Sequence, residues 1–261
     1  RRDHAADGRR MMLMALGFLT LFVPLQIYLG DMHGLNTREF QPAKLAAMEG
    51  DWETTSPTPL TLFALPNQER ERNDYAVELP YLGSLILTHT LREPVRGLKE
   101  FPPDQRPPVA VVFWSFRIMV GIGFLMLGVV ALSWWLRLRR TLFETGWFLR
   151  LCVAVAPLGF VAVLAGWTTT EVGRQPWTVY GLMRTAQSVS PSLTGNDVLV
   201  SFLAYAAVYL VMFPAGIAVM AGIVRAGPTD ATKGEHPVAG FQHEAPMAVD
   251  AGAPSAMNTG A

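Results

Sequence analysis

At 261 residues the chain is long enough for one large soluble domain or two small ones, yet 51% of it is hydrophobic, only 16% is charged and its mean hydropathy is +0.27. That charged share falls well below the roughly 25% usual in globular domains, so a membrane protein is the expectation. Lys and Arg total 21 against 21 Asp and Glu, which argues against a nucleic-acid partner, and the single Cys152 excludes a disulfide framework, a Cys-rich zinc site and a Cys-x-x-Cys-His haem attachment.

The first residue is Arg1 rather than Met and no signal peptide precedes the first apolar run, so the expectation is a start that is missing or processed away. Four apolar stretches, at about 11–30, 109–136, 147–168 and 198–223, are long enough to cross roughly 30 Å of hydrocarbon as helices. They predict an all-α transmembrane helical bundle. Arg1, Arg2, Arg9 and Arg10 precede the first stretch, Arg137, Arg139 and Arg140 follow the second, and Arg225 and Lys233 follow the fourth. The positive-inside rule puts the flank 1–10, the loop 137–146 and the segment 224–261 on the cytoplasmic side. The loops 31–108 and 169–197 then face outward. The segment from Gly227 onward, with His236 and His243, is rich in Ala, Gly, Pro and Thr and reads as a disordered extension.

Three places could carry chemistry. Early in the long loop, Lys44 and Glu49 are five residues apart, a poor spacing for an ion pair within a helix, and an exposed helix face is the ordinary reading. The loop's later parts, 67–74 and 92–108, are polar and Pro-punctuated, like surface covering, and His33 and His89 read as capping or solvated residues. The second span carries Arg117 about 12 Å below its outer end, a depth at which a cation needs protein, water or an anion beside it. Met119, one turn from the small residues Ser115 and Gly123, reads either as core filler or as a thioether facing a flat clearance where a macrocycle could lie. Arg117 points to another face, toward a propionate rather than the ring. The third span ends in Trp167, Glu171, Arg174, Gln175, Pro176 and Trp177. Trp167 and Glu171 share a face if the helix continues, and the aromatic and basic neighbours suggest an enclosed, rigid carboxylate site.

These segments together resemble subunit I of the cytochrome bd-type quinol oxidases. The string Gly-Trp-x-x-x-Glu-x-Gly-Arg-Gln-Pro-Trp at Gly166–Trp177 carries the likeness most specifically. Phe-Trp-Ser-Phe-Arg-x-Met at Phe113–Met119 adds to it, with Glu171 placed 52 residues after its Met. The third element is Gln-Pro-x-Lys-Leu-Ala-Ala-x-Glu at Gln41–Glu49, after a Gly-Asp-x-x-Gly turn at Gly30–Gly34.

The resemblance implies a respiratory terminal oxidase of the bacterial cytoplasmic membrane, which oxidises ubiquinol or menaquinol at the outer face and reduces O2 to water. It implies subunit II, a small single-span subunit and membrane lipid as partners. In its terms 31–108 is the quinol loop, in a short form, and Lys44 and Glu49 are its quinol-site residues. Met119 is the ligand of a low-spin haem b, steadied by Arg117. Glu171 is a ligand in an oxygen-side pair of a high-spin haem b and a haem d, or a further haem b, with Trp167 as the aromatic between haems and Arg174, Gln175, Pro176 and Trp177 completing that site. Subunit I of the family has nine spans, and the four here correspond to the last four. The resemblance therefore places the partner His ligands upstream of Arg1, with no His of this sequence in a span, and implies that this segment alone is inactive. A transporter would place several ionisable groups near mid-membrane, where Arg117 stands nearly alone. A non-redox structural subunit would have no need of Arg117, Met119 and Glu171 together.

Overall fold

The computed structural model describes residues 5–227; Arg1 and Arg2 of the basic flank and Lys233, His236 and His243 of the tail lie outside the described residues. The chain divides into two compact units, Arg1–Leu193 and Thr194–Ala261. Four helical stretches are long and apolar enough to cross a membrane: Ala5–Phe40, Val109–Leu138, Gly146–Gly173 and Gly195–Ala226. The transmembrane helical fold expected from the sequence is therefore present, with each stretch longer than its apolar run.

The largest extension is in α1 (Ala5–Phe40), which continues through Gly30 and Gly34 where the sequence suggested a turn. A glycine inside a helix costs only about 1 kcal/mol against alanine, too little to stop so long a helix. Inside the helix, Thr37 Oγ1 donates to the carbonyl of His33 at 2.9 Å. The helix stops where proline chemistry stops it. Gln41 precedes Pro42 and is forced out of the helical region, to φ −140° and ψ 60°. Pro42 then opens α2 (Pro42–Glu49), which Gly50 ends in the left-handed conformation at φ +77°.

The rest of the long loop is folded and is not purely helical. The strands β1 (Leu60–Asn67) and β2 (Arg72–Leu79) form an antiparallel hairpin with Leu60 opposite Leu79 and Asn67 opposite Arg72. The Asn67 side-chain oxygen closes its tip by accepting from the amides of Glu69 and Arg70. α3 (Leu82–Thr88) follows. Segment 92–108 is more than surface covering: Leu98 is fully buried in a core with Ala46, Ala47, Met48, Trp52, Val109 and Val112. That core seats the loop on the outset of α4 (Val109–Leu138). A second core, of Leu16, Val129, Leu136, Leu142, Phe148 and Val155, joins α1 and α4 to the next helix near the other end of α4.

The third span is two helices, α5 (Gly146–Val155) and α6 (Leu158–Gly173), interrupted at Ala156 and Pro157. Pro157 has no amide hydrogen and its ring crowds the preceding turn. After α6, β3 (Trp177–Val179) and β4 (Met183–Arg184) make a small hairpin. The second unit contributes α7 (Gly195–Ala226), capped by Thr194 and Asp197 in reciprocal hydrogen bonds and containing Pro214. The helix ends at Ala226, and of the extension expected from Gly227 onward all but Gly227 lies outside the described residues.

Candidate functional site

The helix α2 is buried along nearly its whole length, so the exposed face expected for Lys44 and Glu49 is corrected: they are 6% and 5% exposed. α2 packs against α1, α4 and α6 at once, which spacing within one short helix cannot reveal. The Lys44 stem runs along Gly173, where an added Cβ would lie 3.1 Å from its Cγ and 3.3 Å from its Cε. Burial holds the Lys44 ammonium below its ordinary pKa of 10.5; the nearby Glu171 carboxylate opposes that shift and Arg174 adds to it.

Glu49 turns to α4. Its Oε2 lies 2.8 Å from Nη2 of Arg117, and the two side chains are 6% and 13% exposed. Arg117 Nε also donates to the Thr61 carbonyl of β1 at 2.9 Å, and its guanidinium lies over the rings of Phe113 and Phe116. The sequence reading aimed Arg117 at a propionate. In the structure the partner of this deeply set cation is a carboxylate of the chain itself, 68 positions away.

Asp51, which sequence reasoning passed over, sits two residues beyond Glu49. It is buried, and its Oδ2 has no hydrogen-bond partner among the described residues. Burial raises its pKa well above the usual 3.8, with Glu49 and Glu78 adding to the rise and Arg117 opposing it. A raised native pKa means that Asp51 contributes stability fully below about pH 3.8 and loses it as pH climbs through the raised value. Asp51→Asn is therefore expected to melt progressively higher than the unsubstituted protein as pH rises, with the two converging in acid. Thermal denaturation against pH checks this, and parallel curves would refute it.

Below α2 lies a cleft of about 290 Å³. Met119 and Phe116 of α4 line it with Lys44 and Met48 of α2, and α1 contributes Gly30, His33 and Gly34. Gly166 of α6 closes on the thioether: an added Cβ there would stand 2.8 Å from Met119 Sδ, so only glycine leaves the sulfur its place. The clearance beside Met119 is real but arises differently from the expectation. Ser115 is buried and bonded to Thr169 of α6 at 2.9 Å, tying the two helices together. Gly30 and Gly34 instead leave open space beside the cleft. The continuation of α1 also puts His33 on the same helix as the first apolar run. A soft thioether, apolar walls, glycines and a nearby ammonium fit one face of a flat apolar macrocycle that bears carboxylates. Among the described residues no group of three or more His, Cys, Asp or Glu could hold a metal ion.

The third set of residues lies on the other side of α6. Thr169 and Gly173 face inward, whereas Trp167 and Glu171, four apart, share the opposite face. The enclosed carboxylate site is therefore corrected. Trp167 is 62% exposed, and the Glu171 side chain is 40% exposed, paired with Arg174 at 2.6 Å. Gln175 accepts from Thr185 Oγ1 at 2.8 Å, and the Pro176 carbonyl accepts from the Thr185 amide at 2.9 Å. Trp177, on β3, lies beneath the Arg184 guanidinium, which reaches on to Asp104. The Gly-Arg-Gln-Pro-Trp string thus joins α6 to the small hairpin.

The family model described as cytochrome bd terminal oxidase subunit I matches residues 1–228. The chain is similar to cytochrome bd ubiquinol oxidase subunit 1 of Bacillus subtilis (strain 168), 39% identical over 193 residues, covering 70% of this chain and 41% of the relative. It is similar to cytochrome bd-II ubiquinol oxidase subunit 1 of Escherichia coli (strain K12), 30% identical over 286 residues, covering 84% of this chain and 55% of the relative. The solved bd oxidase of Geobacillus thermodenitrificans superposes with a TM-score of 0.72 at 34% identity, covering 84% of this chain and 50% of that one. The chain spans about half the length of the curated relatives it matches.

Proposed function

The chain belongs to the cytochrome bd terminal oxidase subunit I family, and from that membership we propose that it works within a quinol:oxygen oxidoreductase of a bacterial cytoplasmic membrane. The loop 31–108 faces outward in this reading and the segment after α7 faces the cytoplasm. The observation that carries the reading is the cleft in which the Met119 thioether, held opposite Gly166, opens beside Lys44.

Met119 would hold the iron of a low-spin haem b, and Glu171 that of an oxygen-side haem, with a high-spin haem b and a haem d or further haem b there. These haems, when bound, supply one-electron acceptors and the centre where O2 is reduced. Lys44 and Glu49 bind and deprotonate the quinol, ubiquinol or menaquinol, with Glu49 taking a proton from the hydroquinone hydroxyl at its carboxylate. Arg117 holds that carboxylate in place and keeps a positive charge two residues from Met119. Trp167 forms the aromatic surface next to Glu171, while Arg174 balances its charge and Gln175 and Trp177 fix the segment that follows. Subunit II and a small single-span subunit complete the assembly.

The test is Met119→Leu in the complete oxidase, read by reduced-minus-oxidised spectroscopy of membranes. Loss or displacement of the low-spin haem band is expected, because leucine fills the space without offering a sulfur lone pair. An unchanged band together with unchanged quinol oxidation would remove Met119 from the proposal.

A further inference from the structure

We propose that the junction of α1 and α4 at Arg137 and Arg140 binds the phosphate group of an anionic membrane lipid. This site lies toward the other end of α4 from Met119, about 27 Å along the helix, and it does not depend on quinol oxidation. A cavity of about 270 Å³ there is lined by Leu13, Arg137, Arg140, Leu142 and Phe143. Among the described residues that line it, two carry a full positive charge and none is a carboxylate.

The turn after α4 shapes it. Arg140 adopts φ +59°, and the Thr141 amide returns to the Leu136 carbonyl at 3.0 Å, swinging Leu142 and Phe143 back beside the helix end. Arg137 supplies the main cation. Its Nε is buried with no hydrogen-bond partner among the described residues, while its guanidinium lies over Trp134 at 4.9 Å. A buried guanidinium N–H without an acceptor is costly, and a phosphate oxygen is the acceptor whose geometry the Arg fork suits best. Arg9 adds a third cation nearby, over the Phe143 ring at 5.2 Å. The partial negative charge at the end of α4 opposes an anion, but it is outweighed by these full charges.

The depth of the site points to a lipid rather than to free phosphate. Trp134 and Trp135, both part-exposed, precede Arg137 directly, and Trp134 Nε1 donates to Thr20 Oγ1 at 3.0 Å. Tryptophans followed by arginines at a helix end mark the headgroup level of a bilayer. Leu13, Leu142 and Phe143 give the cavity apolar walls suited to a glycerol and the start of an acyl chain. Basic pockets of this kind between spanning helices take anionic headgroups.

The experiment uses the complete oxidase, purified in detergent and stripped of lipid. Its melting temperature is followed as micelles containing dioleoylphosphatidylglycerol, dioleoylphosphatidylcholine or inorganic phosphate alone are added. A saturable rise with phosphatidylglycerol and none with phosphatidylcholine is expected. Half-saturation should move roughly thirtyfold higher in Arg137→Gln/Arg140→Gln, and roughly fivefold in Arg140→Gln alone should the double variant fail to assemble. Arg137→Lys/Arg140→Lys keeps both charges without the fork or the buried Nε–H and should recover only part of the response. The same rise with inorganic phosphate would overturn the lipid assignment. A response in the glutamine variants equal to that of the unsubstituted protein would overturn the site.

Discussion

Glu49→Gln is expected to slow quinol oxidation by the complete oxidase about 10²- to 10⁴-fold, the usual loss when a positioned general base is removed. The substitution keeps the shape of the side chain and an oxygen that can still accept from Arg117 Nη2, so the local packing around α2 should survive. What disappears is the capacity to take up a proton. The carboxylate is held in position for that task by a guanidinium 2.8 Å away. The loss should fall mainly on kcat, since glutamine keeps a hydrogen-bonding amide toward the quinol and loses only the proton transfer. Steady-state oxygen uptake with a short-chain quinol decides the matter. An unaltered kcat would mean that the proton leaves by another group.

Removing the other partner should act on stability instead. Arg117→Leu leaves the Glu49 carboxylate buried without its cation and takes the Arg117 Nε donor from the Thr61 carbonyl. Breaking a buried pair in this way costs about 3–5 kcal/mol. The double variant Arg117→Leu/Glu49→Leu should recover much of that loss, because two apolar side chains fill the site and no orphan charge remains. Unfolding in detergent, followed by denaturant titration, distinguishes the cases. A single-variant cost below about 1 kcal/mol would place the pair with ordinary surface ion pairs, and the anchoring of α2 to α4 would then need another cause.

The spans were legible in the sequence because hydrocarbon thickness imposes length, and length can be read directly from apolar runs. Their ends were less so. Gly30, Asp31 and Gly34 look like a turn, but nothing in their surroundings requires the chain to bend, and α1 proceeds to the residue where Pro42 obliges it to stop. Pro157 was equally visible, yet an apolar run on both sides of it concealed the break between α5 and α6. At the site, Lys44, Glu49, Arg117, Met119 and Glu171 could be singled out by residue type and motif. Their partnerships could not. Arg117 finds Glu49 across 68 positions and Ser115 finds Thr169 across 54, and neither distance leaves a trace in local spacing. Gly166 was legible only as part of a string, and its reason, the contact with Met119 Sδ, required the packing of α6 on α4. Asp51 was missed because its importance lies in what surrounds it and what its Oδ2 lacks.

The unbroken passage of α1 from Ala5 to Phe40 has a mechanical consequence. The stretch of the apolar run after Pro24 and the cleft residues Gly30, His33, Gly34 and Thr37 belong to one screw, each residue turning the helix by about 100° and advancing it about 1.5 Å. Beyond Pro24, the proline inside this helix, the azimuth of the last turns of the apolar run therefore dictates which side chains of α1 meet Met119. Adding a single residue anywhere between Leu25 and Gly30 would rotate His33 and the glycines away from the cleft as a block. The C-terminal segment of α1 is thus indexed by the apolar run that precedes it, as a key's bit is turned by its shaft.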